Sequence, residues 1–307
     1  MEVDEWDVAN ARRNLQITAG SSLDIQIPTL PFISFVDAMS ELKGDILWKK
    51  SLPTIKRVAD HVPQKGLSAL FRSCWHHSIV SGTAEYDDRD FLLCLQFVEL
   101  DHGKVLHRRI LTTLYRKLLK PKRSDPDPPT RGPCWEKLGF QGDDPGTDLR
   151  STGIFGLLLV LYLLDYCPAL ASILFKTSTS PIYEIPFILV SLNFTCVAIE
   201  SLKELGLNDH IANCKKIQSH PSIPPVVQGI CDYYTGCLFL FLDEWRNATS
   251  RTVADFGQVI AKLRPLARSK VNTVIKNAVF AKSASEIEKR ILHVARCSQE
   301  KLEFTEF

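Results

Sequence analysis

Apolar residues recur along most of this chain at helical spacing. Phe32, Phe35, Val36, Met39 and Leu42 follow the i, i+3, i+4, i+7 rule, and Gly44 stands where a C-terminal stop belongs. A second helix is predicted over 67–80. Asp87 and Asp88 read as the cap of a third, with Phe91, Leu92, Leu95, Val98 and Leu100 on its apolar side and Gly103 at its end. Val105, Leu106, Ile110, Leu111, Leu114, Tyr115, Leu118 and Leu119 define a fourth. Its other face carries Lys104, Arg108, Arg109, Arg116, Lys117 and Lys120 and reads as a solvated face over a core stripe.

Residues 121–133 hold five prolines in thirteen positions, so neither a helix nor a central strand survives there. Helical periodicity then resumes over 150–165, 168–177, 184–205, 208–218, 226–246, 252–268, 270–281 and 283–300. Gly206, His220-Pro221 and Pro224-Pro225 supply stops. A short β-branched stretch, Leu23 to Ile27, is present, but no alternation is long enough to build a sheet. No repeat at solenoid period is visible. The chain reads as all-α, a compact multi-helix bundle with an N-terminal helical extension. Its divisions are a polar, flexible or extended segment at 1–31, the extension at 32–103, a main domain at 104–282 with the Pro-rich loop 121–133 inside it, and a C-terminal helix and tail at 283–307.

The 307 residues are 45% hydrophobic and 23% charged, the balance of a globular chain. A net charge of +2 and a pI near 8.0 argue against a nucleic-acid partner, whose binding domains usually exceed a pI of about 9. Met1 to Asn10 is acidic and lacks an apolar run, so neither a signal nor a transit peptide is expected. Gly153 to Leu164 is the longest apolar stretch and is stopped by Asp165, short of the roughly 18 residues of a membrane span. Ile185 to Ile199 is interrupted by polar residues, and both stretches read as core helices. Nine cysteines without a CxxC pair, mostly inside apolar runs, predict reduced thiols rather than a disulfide framework or a zinc site. A cytoplasmic location follows as an expectation. The sequons at Asn193 and Asn247 are then chance matches.

The motifs of self-sufficient catalysis are missing. No GxxxxGK[ST], no GxGxxG after a strand, no HExxH and no GxSxG occurs. His76-His77 and the pair His102/His107 lack partners at ligand spacing, so no metal is predicted. The one unusual stretch is 135–156, which holds five of the fifteen glycines. Gly139, Gly142 and Gly146 permit positive φ, and Pro145 restricts Asp144. Trp135, Leu138 and Phe140 can plug the loop into the core. Thr147 or Asp148 suits the N-cap of the following helix, and Gly153 and Gly156, one turn apart, admit a close neighbour. Arg150 would then lie in that helix's first turn, where a cation is unfavourable by roughly 0.3–1 kcal/mol. Two readings stay open on chemistry alone: Asp143, Asp144 or Asp148 pairs with Arg150, or the guanidinium and the helix end meet a phosphate.

The run Trp135-x-x-Leu138-Gly139-Phe140-Gln141-Gly142-x-x-Pro145-x-Thr147-Asp148-x-Arg150-x-x-Gly153 resembles the signature of the ELMO domain. It is most similar to the stand-alone ELMO-domain-containing proteins, and among them the third type. Pro186-Phe187 with Ser191-Leu192-Asn193-Phe194-Thr195, and Phe239 to Trp245, resemble later blocks, so the likeness covers about residues 104–270. The resemblance implies an all-helical fold and GTPase-activating activity toward Arf-family GTPases, above all the Arf-like branch. It places the catalytic arginine on Arg150, with Trp135, Gly139, Phe140, Gln141, Gly142, Pro145, Thr147, Asp148, Ser151 and Gly153 shaping the loop or meeting the partner. It implies no cofactor of the chain's own, since GTP and Mg²⁺ belong to the partner GTPase. Larger ELMO proteins that act as scaffolds for DOCK exchange factors lack an arginine there, so a non-catalytic scaffold or effector, acting on a small GTPase or a cytoskeletal regulator, is the alternative. One departure matters. Family members commonly have glycine after this arginine; here it is Ser151, which puts the strength of activity and the preferred GTPase in question. Finally, residues 262–290 carry eight cations against Glu286 and Glu288. That surplus reads either as a solvated helix face or as an approach to anionic membrane.

Overall fold

The computed structural model describes residues 29–59, 83–122, 124–180, 185–217, 220–247 and 251–290. The helix expected over 67–80 and the stretch Leu23 to Ile27 lie outside them. Among the described residues there are helices and loops and no strand.

The α-helices are α1 (Phe35–Gly44), α2 (Leu52–Ala59), α3 (Thr83–Leu95), α4 (Val105–Leu119), α5 (Ile154–Tyr166), α6 (Pro168–Ser178), α7 (Phe187–Lys203), α8 (Asn208–Ile217), α9 (Pro225–Arg246), α10 (Phe256–Ser269) and α11 (Val271–Phe280). A further turn of helix covers 284–290. Leu30–Pro121 and Asp127–Phe307 make one compact unit. Of a second unit, Thr29, Lys122 and residues 124–126 are described, and there the Asp125 N–H donates to the Lys122 carbonyl at 3.0 Å.

The larger unit has one continuous hydrophobic core, from Ile33 on the N-terminal side to Ile287 on the C-terminal side. At its centre is α5, whose residues Ile154 to Leu163 are all buried. A helix apolar on every side has to be wrapped by others, and α1, α4, α6, α7 and α9 do this. The longest helix among the described residues, α9, is long and apolar enough to cross a membrane, and it adds a third apolar stretch to the two seen in the sequence. Yet 83% of its most apolar window is packed inside the bundle. Cys94, Cys167, Cys231 and Cys237 are free thiols within the core.

Three helices differ from expectation at their ends. First, α1 starts at Phe35, not Phe32: the Ser34 hydroxyl accepts the Asp37 N–H at 3.1 Å, and Phe32 is left exposed. Second, α3 begins upstream of Asp87 and Asp88, so neither caps it; Asp88 is buried and pairs with Lys43 of α1. It also stops at Leu95 instead of continuing to Gly103. The Phe97 and Val98 N–H groups turn back to the Cys94 and Leu95 carbonyls at 2.9 and 3.2 Å, and the Val98 carbonyl accepts the Ile154 N–H of α5 at 2.8 Å. A tertiary hydrogen bond has overridden a periodic pattern.

Third, α5 starts at Ile154, after a corner at Gly153, and not at residue 150. By contrast α4 is as expected, but its basic face is not simply solvated. Lys104 pairs with Asp45 at 2.7 Å, Arg109 with Glu41 at 2.9 Å, Arg116 with Asp127 at 2.9 Å, and Lys117 with Asp165. These ion pairs tie α4 to α1, to the Pro-rich loop and to the end of α5.

Candidate functional site

The Gly-rich stretch forms a plugged loop on the surface of the bundle. Trp135 is buried, donates its indole N–H to the Pro129 carbonyl at 3.0 Å, and packs edge-on against Tyr115 and Phe140. A short 3₁₀ turn, Glu136–Leu138, buries Leu138 and ends at Gly139 with φ +91°. A Cβ at Gly139 would lie 2.5 Å from the Phe187 nitrogen, so only glycine lets the loop press on the start of α7. Phe140 follows, buried, and Gln141, exposed, donates its N–H to Asp148 Oδ2 at 2.7 Å.

Asp144 then caps a second 3₁₀ helix, Pro145–Ser151, by accepting the Gly146 N–H at 2.9 Å. Its extended backbone (φ −111°, ψ 108°) is what a following proline requires. Pro145 and Leu149 face inward, while Thr147, Arg150 and Ser151 face solvent. Thr147 and Asp148, expected as caps, serve otherwise: the Thr147 hydroxyl donates to the Asp144 carbonyl at 2.8 Å, and Asp148 holds Gln141. Gly142 and Gly146 do not adopt positive φ; of the three glycines proposed for it, Gly139 alone does.

The 3₁₀ helix meets α5 at a bend of 100°. Gly153 makes the corner with φ +54°, and a Cβ there would sit 2.4 Å from the Leu95 carbonyl oxygen. The expected close approach at Gly153 is therefore to the end of α3, and Gly156 packs on Leu192 of α7. Gly153, not Thr147 or Asp148, is the N-cap of α5.

This corner changes the electrostatics of Arg150. The residue lies in the last turn of the 3₁₀ helix rather than the first turn of α5. Carbonyls, not free N–H groups, dominate a helix's C-terminal end, so the predicted penalty for a cation does not arise. The first N–H of α5 is already taken by the Val98 carbonyl, so that donor is not available to a phosphate.

The internal acids do not claim Arg150 either. Asp144 binds His102 Nε2 at 3.1 Å and Arg131 Nε at 2.8 Å. Burial raises its pKa, but the bonds from His102, the Gly146 N–H and Arg131 outweigh that and hold the carboxyl below the usual range. Among the described residues Arg150 makes no ion pair or hydrogen bond, and it is exposed. It borders an open groove of about 460 Å³ between this loop and the segment after α3. Gln96, Phe97, Glu99 and Leu100 line the far side, with Phe97 notably exposed for an aromatic. Sequence reasoning missed His102, Arg131 and this far side. His102 and Asp144 are 42 positions apart, and no local pattern joins them.

The ELMO/CED-12 family profile matches residues 90–260. The chain is 29% identical over 297 residues to ELMO domain-containing protein 3 of Homo sapiens, covering 96% of this chain and 72% of that protein. It is 30% identical over 302 residues to ELMO domain-containing protein 3 of Bos taurus, with the same coverage. Human ELMO domain-containing protein 2 matches at 30% over 157 residues, 51% of this chain and 50% of that protein. No solved structure matches. A matched region spanning more than half of the chain, and relatives aligned along nearly all of it, establish that this protein belongs to the ELMO/CED-12 family.

Proposed function

We propose that this protein activates GTP hydrolysis by an Arf-family small GTPase of the Arf-like branch, and that Arg150 is the arginine it supplies in trans. The observation that carries the proposal is an exposed, unpaired guanidinium on a loop whose every neighbouring turn is pinned. The GTPase brings its own phosphate loop, GTP and Mg²⁺, so the chain needs no cofactor and no substrate pocket of its own for this reaction. Arg150 neutralises charge developing on the γ-phosphate, an effect worth about 10³–10⁵ in rate. Arginine suits the role because its planar fork is permanently charged and can bind two oxygens at once. The groove beside it, with the exposed ring of Phe97, is where the GTPase would rest.

Single-turnover GTP hydrolysis across a panel of Arf-family proteins tests the proposal. Stimulation by the parent protein and its loss, by at least about 10²-fold, in Arg150→Lys is the expected result. Equal stimulation by both proteins rejects the mechanism.

Ser151 favours a second reading. It is exposed beside Arg150 and adds a side chain where the signature that this motif resembles commonly has glycine. In that reading the same surface holds a small GTPase or a cytoskeletal regulator without accelerating hydrolysis. Binding without turnover distinguishes it.

Membrane contact at 262–290 would draw on a cationic surplus that is partly paired. Lys262 pairs with Glu244 at 2.8 Å, Arg264 with Glu200 at 2.9 Å, and Arg268 with Glu200 and Glu204. These pairs spend part of the cationic surplus inside the molecule. A cytoplasmic protein recruited through its GTPase is the location we propose, and liposome sedimentation with and without anionic lipid tests any direct attraction.

A further inference from the structure

The helix α8 carries His210 and Cys214 four residues apart, so both side chains lie on one face. That face closes on α9 at Gly229, where a Cβ would stand 2.6 Å from Ile211 Cγ1. Three residues further along α9 comes Asp232. The close approach brings three ligand atoms together: His210 Nε2 lies 3.0 Å from Asp232 Oδ2, Cys214 Sγ lies 3.4 Å from His210 Nε2, and Sγ lies 4.0 Å from Oδ2.

We propose that His210, Cys214 and Asp232 form a zinc site that clasps α8 to α9, with a fourth position open to water. Zinc bound at ordinary Zn–N, Zn–O and Zn–S lengths in a tetrahedron sets ligand-to-ligand edges of about 3.3 Å for N to O and about 3.6 Å for N or O to S. The three observed separations match those edges to within a few tenths of an ångström. Without a metal, Nε2 and the Cys214 thiol both turn to Asp232 Oδ2; zinc would instead draw all three ligand atoms, which lie within 4.8 Å of one another, onto one centre. The donor set of one sulfur, one imidazole and one carboxylate oxygen is foreign to Mg²⁺ and Ca²⁺, which take oxygen ligands.

The surroundings supply the support that such ligands require. Gln228, one turn before Asp232, donates its amide to Asp232 Oδ1 at 2.6 Å and to the Tyr162 hydroxyl at 3.3 Å, which fixes the carboxylate with Oδ2 toward the cluster. Cys214 is buried, whereas His210 and Asp232 are about one-fifth exposed, so one side of the triangle is reachable by a water ligand. This site is separate from Arg150 and does not rest on the GTPase reading. It departs from the expectation of no metal because Asp232 stands 18 and 22 positions from its partners, beyond any ligand-spacing rule.

The 307-residue protein, stripped with a chelator and titrated with Co²⁺, tests the site. One equivalent should produce a near-ultraviolet thiolate-to-cobalt band with intense tetrahedral visible bands, and Zn²⁺ should displace it. Cys214→Ser should abolish the near-ultraviolet band, and His210→Gln or Asp232→Asn should weaken binding at least about tenfold. Independently of any variant, Zn²⁺ should slow alkylation of Cys214 at least about tenfold relative to Cys134, read by mass spectrometry. No thiolate band, a band that persists in Cys214→Ser, or alkylation of Cys214 unchanged by Zn²⁺ overturns the proposal.

Discussion

His102 Nε2 lies 3.1 Å from Asp144 Oδ1, and the same oxygen accepts the Gly146 N–H at 2.9 Å. The other oxygen binds Arg131 at 2.8 Å. One carboxylate therefore joins the segment after α3, the Pro-rich loop and the short helix that ends in Arg150. Asp144→Ala removes the cap and both partners. Thermal unfolding should show a loss of about 1–2 kcal/mol, since a cap alone is worth about 1 kcal/mol. If GTPase activation is measurable, it should fall too, although Asp144 is a positioning residue that touches no nucleotide. Asp144→Asn, which keeps an acceptor for Gly146, should lose less of both.

Arg150→Ala separates function from fold. The side chain is exposed and unpaired, so its truncation should change stability by no more than about 0.5 kcal/mol in a denaturant titration. Hydrolysis stimulation should disappear in the same protein. A large drop in stability would mean that the guanidinium has an internal structural role.

Gly153→Ala should be among the most damaging small substitutions in the chain. The residue sits at φ +54° with the Leu95 carbonyl 2.4 Å from any added Cβ. Neither backbone can yield without opening the contact between α3 and α5. We expect a loss of more than about 2 kcal/mol, by the combination of a strained backbone and a clash. A circular-dichroism melt that matches the parent protein would contradict this.

Ser151→Gly tests whether the serine restrains activity. Ser151 is exposed at the end of the 3₁₀ helix, so the change should leave the melting temperature nearly unaltered. Under the proposed function it should raise the rate of stimulated hydrolysis. A rate equal to that of the parent protein shows that the side chain does not limit approach.

Acid should weaken the protein through His107. Its ring is buried and accepts the Asp101 N–H at Nδ1, at 2.9 Å. Burial, with the Lys104 charge added, pushes its pKa down to about 4. The unfolded chain would bind the proton near pH 6.5, so the neutral ring's contribution is complete above that pH and is lost as pH falls toward 4. Stability should drop by roughly 3 kcal/mol across that window. His107→Asn, which preserves an acceptor near Nδ1 and cannot titrate, should flatten this part of the profile in pH-dependent denaturation.

Much of the fold was legible because burial imposes a period. The stripe from Val105 to Leu119 and the apolar run from Ile154 predicted α4 and α5 within a few residues. The ends of α3 and the start of α5 were not legible, since they are set by Val98 and Ile154 bonding to each other across the fold. Arg150 and its loop were legible through the motif that carries them. The environment that leaves Arg150 unpaired was not: it depends on His102 and Arg131 occupying Asp144, and only the folded chain brings those three together. The cluster of His210, Cys214 and Asp232 was hidden for the same reason.

The right-angle corner at Gly153 has a mechanical implication. With Leu149 seated in the core on one side and Ile154 on the other, the backbone at position 150 has no hinge about which to swing. The guanidinium can search only through its own side-chain torsions. Under the proposed function, a GTPase would bring its nucleotide to a stationary arginine, and the shape of the docked surfaces, rather than the motion of a loop, would decide which GTPase places its γ-phosphate within reach.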